Sequence, residues 1–393
     1  MKFSSPYPFL SLLLSGNFRK IRAMETTLTM ARLSALKDSF PPEQDALLVA
    51  GPENRRYLSG FTARDEILTE SSGVLLITRE RAFLLTDFRY LEWARQEVLG
   101  LEVLMYSQSL GETLAGLLKD LQVRVLGFEE TYLTYRQYQR LAKAAADAGL
   151  SVDWQPVNSM VETLREAKAL EEVAVIRRAL ALTEETLVEV AQTLAPGQTE
   201  AQVAWEIERR LREKGAEGLA FTPIVAAGPN SAQPHHHPGD YRLQEGEPII
   251  IDLGARVDGY CADLTRTFIL GPPDEHFRKI YDLVRQAQKR AEQDLRAGID
   301  SRAWDALARD MIAAAGYAEA FGHSLGHGVG LAVHEAPSLS PHKDRATILK
   351  SGSIVTVEPG IYLTGWGGVR LEDLALLHDD RAEVLTKMGF YEW

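Results

Sequence analysis

The chain has 393 residues, 45% hydrophobic and 25% charged, an ordinary globular composition at a length that favours two domains over one core. Its formal net charge of −12 argues against nucleic acid or an anionic membrane surface as a partner, since both require a basic footprint. The one cysteine, Cys261, excludes a disulfide within the chain and a thiolate zinc site, and suits a reducing cytoplasm.

Residues 1–29 are expected to form a tail ahead of the folded protein, or an extension upstream of a start at Met24 or Met30. The apolar part, Phe9 to Leu14, is too short and too interrupted by Ser11 for the core of an export signal. No apolar run approaches the roughly 20 residues needed to span a bilayer, so no membrane association is expected.

Residues 30–160 predict a compact α/β domain. "ALLVAG", "GVLLIT", "RAFLLTD" and "VRVLGFE" read as strands, and Tyr90 to Val98 and Leu110 to Leu121 carry helical spacing. "YRQYQRLAKAAADAG" is an amphipathic helix stopped by Gly149. Residues 161–393 predict a second domain. It opens with a helical stretch from Val161 to about Leu194, which "APGQTE" breaks, leaving Thr199 to cap the next helix, "EAQVAWEIERRLREKG". The many charges of these helices read as solvated faces. Strands and glycine-rich turns follow, with helices expected at 274–297 and 301–315.

The second domain carries the chemically suggestive residues. "PIIIDLGARVDGYCADLTRTFIL" (248–270) predicts a hairpin turning at Asp258–Gly259, with Asp252 after an apolar run and Asp263 in the return strand. Folding there brings both carboxylates to one end and one face, and burying two close carboxylates without a counter-charge is costly. "SIVTVEPGIYLTGWGGVRLEDLALL" repeats the arrangement, with Glu358 after a strand, "TGWGG" at the turn and Glu372 in the return strand. Between the hairpins lies "FGHSLGHGVGLAVHEAP", with His323, His327 and His334 among glycines suited to close backbone approach and unusual φ/ψ. Four carboxylates carry about −4, which two divalent cations would balance. Oxygen ligands with one imidazole fit manganese, cobalt, iron or zinc. Two such ions would share a hydroxide and polarise a carbonyl, the arrangement of a hydrolase.

The segments "IDLG", "DLTRTF", "GHGVGL", "VHE", "VEPG" and "GVRLED", in that order, resemble the pita-bread metallopeptidases, the group of methionine aminopeptidase, aminopeptidase P and prolidase. "NRRYLSGF", "TDFRY" and "LREAKALEEVAVIRRA" are similar to the N-terminal domain and joining helix of the prolidase, aminopeptidase P and creatinase branch, so the resemblance covers about residues 30 to 393. It implies an α/β creatinase-like domain followed by an α+β pita-bread catalytic domain, and a homodimer. It also implies two divalent ions, manganese first, with cobalt or zinc as alternatives. Asp252 would chelate one ion, Asp263 and Glu372 would bridge the two, and His327 and Glu358 would bind the other.

The same resemblance assigns the remaining roles. His235, in the "PH" step 17 residues before Asp252, and His334 would contact the substrate and the tetrahedral intermediate. His236 and His237 do not fit that pattern; they are expected to shape the pocket rim or face solvent. His323 would contact substrate or support the ligands. Glu358 would shuttle the proton, Arg370 would orient the carboxylates, and Tyr260 and Thr265 would support the ligands from behind. The expected reaction is hydrolysis of the bond before proline in small peptides, Xaa-Pro dipeptides first, with Arg345 anchoring the proline carboxylate. The alternative is an aminopeptidase P acting on longer chains. Creatinase-like metal-free hydrolysis is disfavoured because creatinase lacks this ligand set. Methionine aminopeptidase is disfavoured because it lacks the N-terminal domain and the "GVRLED" form. A binding module would be expected to have lost ligands, and none is missing.

Overall fold

The computed structural model describes residues 18–65, 67 and 69–391, apart from the side chains of residues 18–24 and 345. The chain divides between Leu164 and Arg165 into two units. No helix among the described residues is long and apolar enough to cross a membrane.

Helix α1 (Phe18–Asp38) opens the first unit and runs across residue 30. Then come β1 (Ala46–Val49), α2 (Pro52–Ser59), β2 (Val74–Thr78), β3 (Ala82–Thr86), α3 (Leu91–Glu97) and β4 (Glu102–Met105). They are followed by α4 (Leu110–Asp120), β5 (Val125–Glu129), α5 (Tyr135–Asp147) and β6 (Asp153–Val157). The strands form one sheet in the order β4-β3-β2-β1-β5-β6. Strands β1, β2 and β3 are buried along their whole length, which is why they read as continuous apolar runs rather than alternating ones. Thr134 caps α5 through a reciprocal pair of bonds with Gln137, satisfying two donors at the helix start.

The single helical stretch expected from Val161 to Leu194 is two helices, α6 (Met160–Arg165) and α7 (Leu170–Ala191). Between them Ala167 forms a β-bridge with Ser353, and Lys168 N donates to Gly352 O at 2.9 Å. The Glu172 carboxylate then accepts from Ala169 N at 2.9 Å and starts α7 afresh. A strand-like tertiary contact overrides helical propensity here.

The second unit continues with α8 (Glu200–Glu213), β7 (Gly218–Leu219), β8 (Ile224–Ala227), β9 (Pro248–Leu253), β10 (Ala255–Val257), β11 (Tyr260–Cys261) and β12 (Leu264–Ile269). Helices α9 (Glu275–Asp294) and α10 (Ser301–Ala314) intervene before β13 (Gly326–Gly328), β14 (Glu335–Leu339), β15 (Ile354–Val357), β16 (Gly360–Leu363), β17 (Gly367–Arg370), β18 (Asp373–Leu377) and β19 (Ala382–Val384). Helices α7 and α8 bury Ile176, Leu180, Ile207 and Leu211 with Val225, Ile249 and Ile251 of β8 and β9. Helices α9 and α10 bury Ile280, Val284, Trp304 and Ile312 with Val355, Val357 and Val369. Each amphipathic helix pair thus covers one side of the strands and leaves their acidic ends to meet one another.

Candidate metal centre

Two antiparallel hairpins build the site. In the first, β9 pairs with β12, Asp252 lying opposite Thr265, and β10 pairs with β11 in the same register. Asp258 and Gly259 at the tip have φ of 43° and 76°, the left-handed pair that a tight two-residue turn requires. Asp263 lies in the gap between β11 and β12 rather than within the return strand as expected. Opposite this gap, a Cβ at Gly254 would stand 2.0 Å from Ala262 O, so only glycine lets the chains approach closely enough to bend there. Side chains alternate along a strand, so Asp263, two residues from Thr265, shares the face of Asp252.

The second hairpin has the same plan. Strand β15 pairs with β18 and β16 with β17 in one continuous register, so Glu358 falls opposite Glu372 where the ladder is interrupted. His327 comes from β13, which pairs with both β14 and β15. The glycines around it were expected to serve close backbone approach and unusual backbone angles. None of Gly322, Gly326, Gly328 and Gly330 has positive φ, while three of them do serve close approach. A Cβ would lie 2.1 Å from Thr356 O at Gly326, 2.1 Å from Ala336 O at Gly328, and 2.3 Å from Glu335 Oε1 at Gly330.

Asp252, Asp263 and Glu372 are buried. Ligand-type atoms of Asp263, His327 and Glu372 all lie within 4.8 Å of one another. His327 Nδ1 donates to Gly328 O at 3.1 Å, which directs Nε2 toward Glu358 Oε1 (3.3 Å) and Asp263 Oδ2 (3.7 Å). Burial, followed by the neighbouring carboxylates, pushes Asp263 and Glu372 well above the usual carboxylate range. Burial also raises Asp252, although Arg370 opposes it. Burial works to raise Glu358 too, but His327, with His323 and Arg370 behind it, outweighs that effect and holds it down to about 2. Among the described residues Asp252 Oδ1 is buried without a hydrogen-bond partner. A crowded carboxylate set, an orphaned oxygen and one aimed imidazole suit divalent cations, which would hold the acids ionised.

Arg370 ties this cluster together. Its Nη2 donates to Asp252 Oδ2 at 2.6 Å, Nε to Thr265 Oγ1 at 3.2 Å, and Nη1 to Tyr362 Oη at 3.0 Å and Pro234 O at 3.2 Å. Thr265 Oγ1 in turn donates to Glu372 Oε2 at 2.7 Å. His323 stands behind the acids, with Nε2 2.9 Å from Tyr362 Oη and Nδ1 2.8 Å from Ser324 O. The His334 ring lies 4.3 Å from that of His327. Burial, then the neighbouring His327, hold His334 below its ordinary value, while His235 is exposed. The Tyr260 hydroxyl donates to Glu172 of α7 at 2.7 Å and braces that helix. The Arg345 side chain lies outside the described residues.

Two contributors escaped the sequence reading. Tyr362 sits two residues along from Gly360, the cross-strand partner of Arg370, so hairpin register would have put it on the Arg370 face. Thr356 accepts from His327 N at 3.0 Å and donates to Glu358 Oε1 at 3.1 Å. Its spacing of two from Glu358 was the available signal.

Residues 174–379 match the model of metallopeptidase family M24, and residues 32–167 match that of the creatinase/prolidase N-terminal domain. The Xaa-Pro dipeptidase of Pyrococcus horikoshii is 35% identical over 344 residues, covering 87% of this chain and 93% of that protein. The solved structure of an Xaa-Pro dipeptidase from Bacillus anthracis superposes with a TM-score of 0.86 at 36% identity, covering 92% of this chain and 99% of that one. An X-Pro aminopeptidase structure from Thermotoga maritima superposes with a TM-score of 0.79 at 34% identity, covering 88% of this chain and 97% of that one.

Proposed function

The chain belongs to metallopeptidase family M24, its pita-bread catalytic domain preceded by a creatinase/prolidase domain, and from that membership we propose that it hydrolyses the bond before proline, with Xaa-Pro dipeptides as its main substrates. The observation that supports the reading is that ligand atoms of Asp263, His327 and Glu372 lie within 4.8 Å of one another, with Glu358 Oε1 3.3 Å from His327 Nε2 and buried Asp252 opposite Thr265 in the first hairpin. The four carboxylates and His327 would hold two divalent cations, manganese first, with cobalt or zinc as alternatives. Bound there, the ions would polarise the scissile carbonyl and make water a nucleophile at neutral pH.

The chain's own residues supply the rest. Glu358, ionised at neutral pH, takes a proton from the attacking water and delivers it to the proline nitrogen, which has no hydrogen of its own in the peptide. His235 and His334 hydrogen-bond the peptide and stabilise the tetrahedral intermediate. Arg370 and Thr265 hold Asp252 and Glu372 in place, and His323 fixes Tyr362 against Arg370. Arg345 is the proposed anchor for a dipeptide's carboxylate; unchanged Xaa-Pro dipeptide turnover in R345A would remove it. We read the protein as a cytoplasmic homodimer, on its single buried cysteine and the family resemblance respectively, and light scattering in solution tests the dimer.

Cleavage of longer peptides is the second reading, favoured by the likeness to the X-Pro aminopeptidase structure. Chelated enzyme reloaded with manganese, cobalt or zinc and assayed on Ala-Pro and Ala-Pro-Ala separates the two. Preference for Ala-Pro is expected. Efficient cleavage of the tripeptide would replace the dipeptidase reading, and inactivity on both at full metal occupancy would end both.

A further inference from the structure

His236 was set aside by the sequence pattern, yet it is the member of the histidine run with a buried partner. Its Nε2 lies 2.8 Å from Glu200 Oε2, and the Glu200 side chain is fully buried in the first turn of α8. Glu200 has four donors for its four lone-pair positions: Ala227 N (2.8 Å) and Asn230 Nδ2 (3.1 Å) on Oε1, and His236 Nε2 and Gly239 N (3.2 Å) on Oε2. These donors come from both ends and the middle of the segment 227–239. A buried carboxylate at a helix N-terminus therefore gathers the end of β8 and the loop after it, whose one regular element is a short 3-10 turn.

The other side of the same loop faces the acid cluster. Pro234 O accepts from Arg370 Nη1 at 3.2 Å, and Ser231 Oγ accepts from Gly368 N at 2.8 Å. His235 lies between Pro234, held by Arg370, and His236, held by Glu200. Flanking bonds on opposite sides fix the backbone of one residue more tightly than either could alone.

We propose that His236 is a positioning residue: its bond to Glu200 locks the 227–239 loop so that His235 stands opposite His334 at the hydrolytic centre. This rests on the proposed role of His235. His237, exposed on the same loop, has no such part.

The test is a mutant set on metal-loaded enzyme, measuring kcat and KM on Ala-Pro, metal content and thermal stability. H236A is expected to lower kcat/KM by roughly 10- to 100-fold, the scale of a misplaced active-site group, with metal content unchanged. H236Q should recover most of the loss, because its amide nitrogen can donate where Nε2 did. H237A should match wild type. The double mutant H235A/H236A should be no slower than H235A, since His236 acts only through its neighbour. Wild-type kinetics in H236A beside a crippled H235A would overturn the latch alone, as would fully additive losses in the double mutant. Full activity in H235A would overturn the role of His235 and the latch with it.

Discussion

Thr265 holds Glu372 twice, accepting from Glu372 N at 3.1 Å through its carbonyl and donating to Glu372 Oε2 at 2.7 Å through its hydroxyl. One residue of the first hairpin thereby fixes both the backbone and the carboxylate of an acid on the second. The isosteric T265V keeps the first bond and loses the second. Its metal affinity should fall roughly 10- to 100-fold, the range seen when support behind a ligand is removed. Activity should return when metal is raised, and T265S should behave like wild type. Metal titration followed by activity decides; unchanged affinity in T265V would contradict the role.

Arg370 donates to four groups with one guanidinium, which an ammonium cannot reproduce. R370K should remain nearly inactive although it keeps the charge. R370M should destabilise the chain by about 3–5 kcal/mol, because it strands the buried Asp252 carboxylate. Denaturant unfolding of both variants measures this, and a lysine variant of full activity would show that only charge matters.

Glu129, in the first unit, gives a pH-dependent prediction. Burial pushes its carboxyl up to about 7, against hydrogen bonds from Gly51 N and Asn54 Nδ2. The folded state therefore binds the proton more tightly than the unfolded state. Its contribution is complete below about pH 4.5 and is lost as pH rises to about 7, on the order of 3 kcal/mol in all. The stability of wild type relative to E129Q should shrink across that window. A difference independent of pH would defeat the prediction.

Two glycines six residues apart should respond oppositely to alanine. At Gly328 the added Cβ meets Ala336 O at 2.1 Å, whereas at Gly322 it meets nothing within 4 Å. G328A must displace strand β13 from β14 and should cost roughly 1–3 kcal/mol, with activity falling because His327 is the adjacent residue. G322A should be neutral. Equal melting temperatures for the two variants would count against the packing argument.

How much of this was legible follows from the range of each interaction. The meeting of Asp252 with Asp263, and of Glu358 with Glu372, was readable because a turn motif and strand alternation are local signals. The break at residues 166–169 was not, because it depends on Ser353 and Gly352, far along the chain. The "GHGVGL" glycines signalled close approach correctly but not its form, since an extended strand and a tight turn both exclude a Cβ. His236 was passed over because its partner, Glu200, sits on a helix whose charges otherwise read as solvated. Burial of one carboxylate among many is a property of the packed fold.

The interruption of both hairpins also bears on biosynthesis. In the proposed ligand set the donors emerge in the order Asp252, Asp263, His327, Glu358, Glu372, and the last two belong to the second hairpin. A nascent chain that has formed only the first hairpin presents two carboxylates, a weak and incomplete chelate. Cation capture must therefore wait for synthesis of the second hairpin and for its docking through Thr265. Metal loading then closes assembly, and the ion stabilises only finished molecules, by about 2.7 kcal/mol at a hundredfold excess over its dissociation constant.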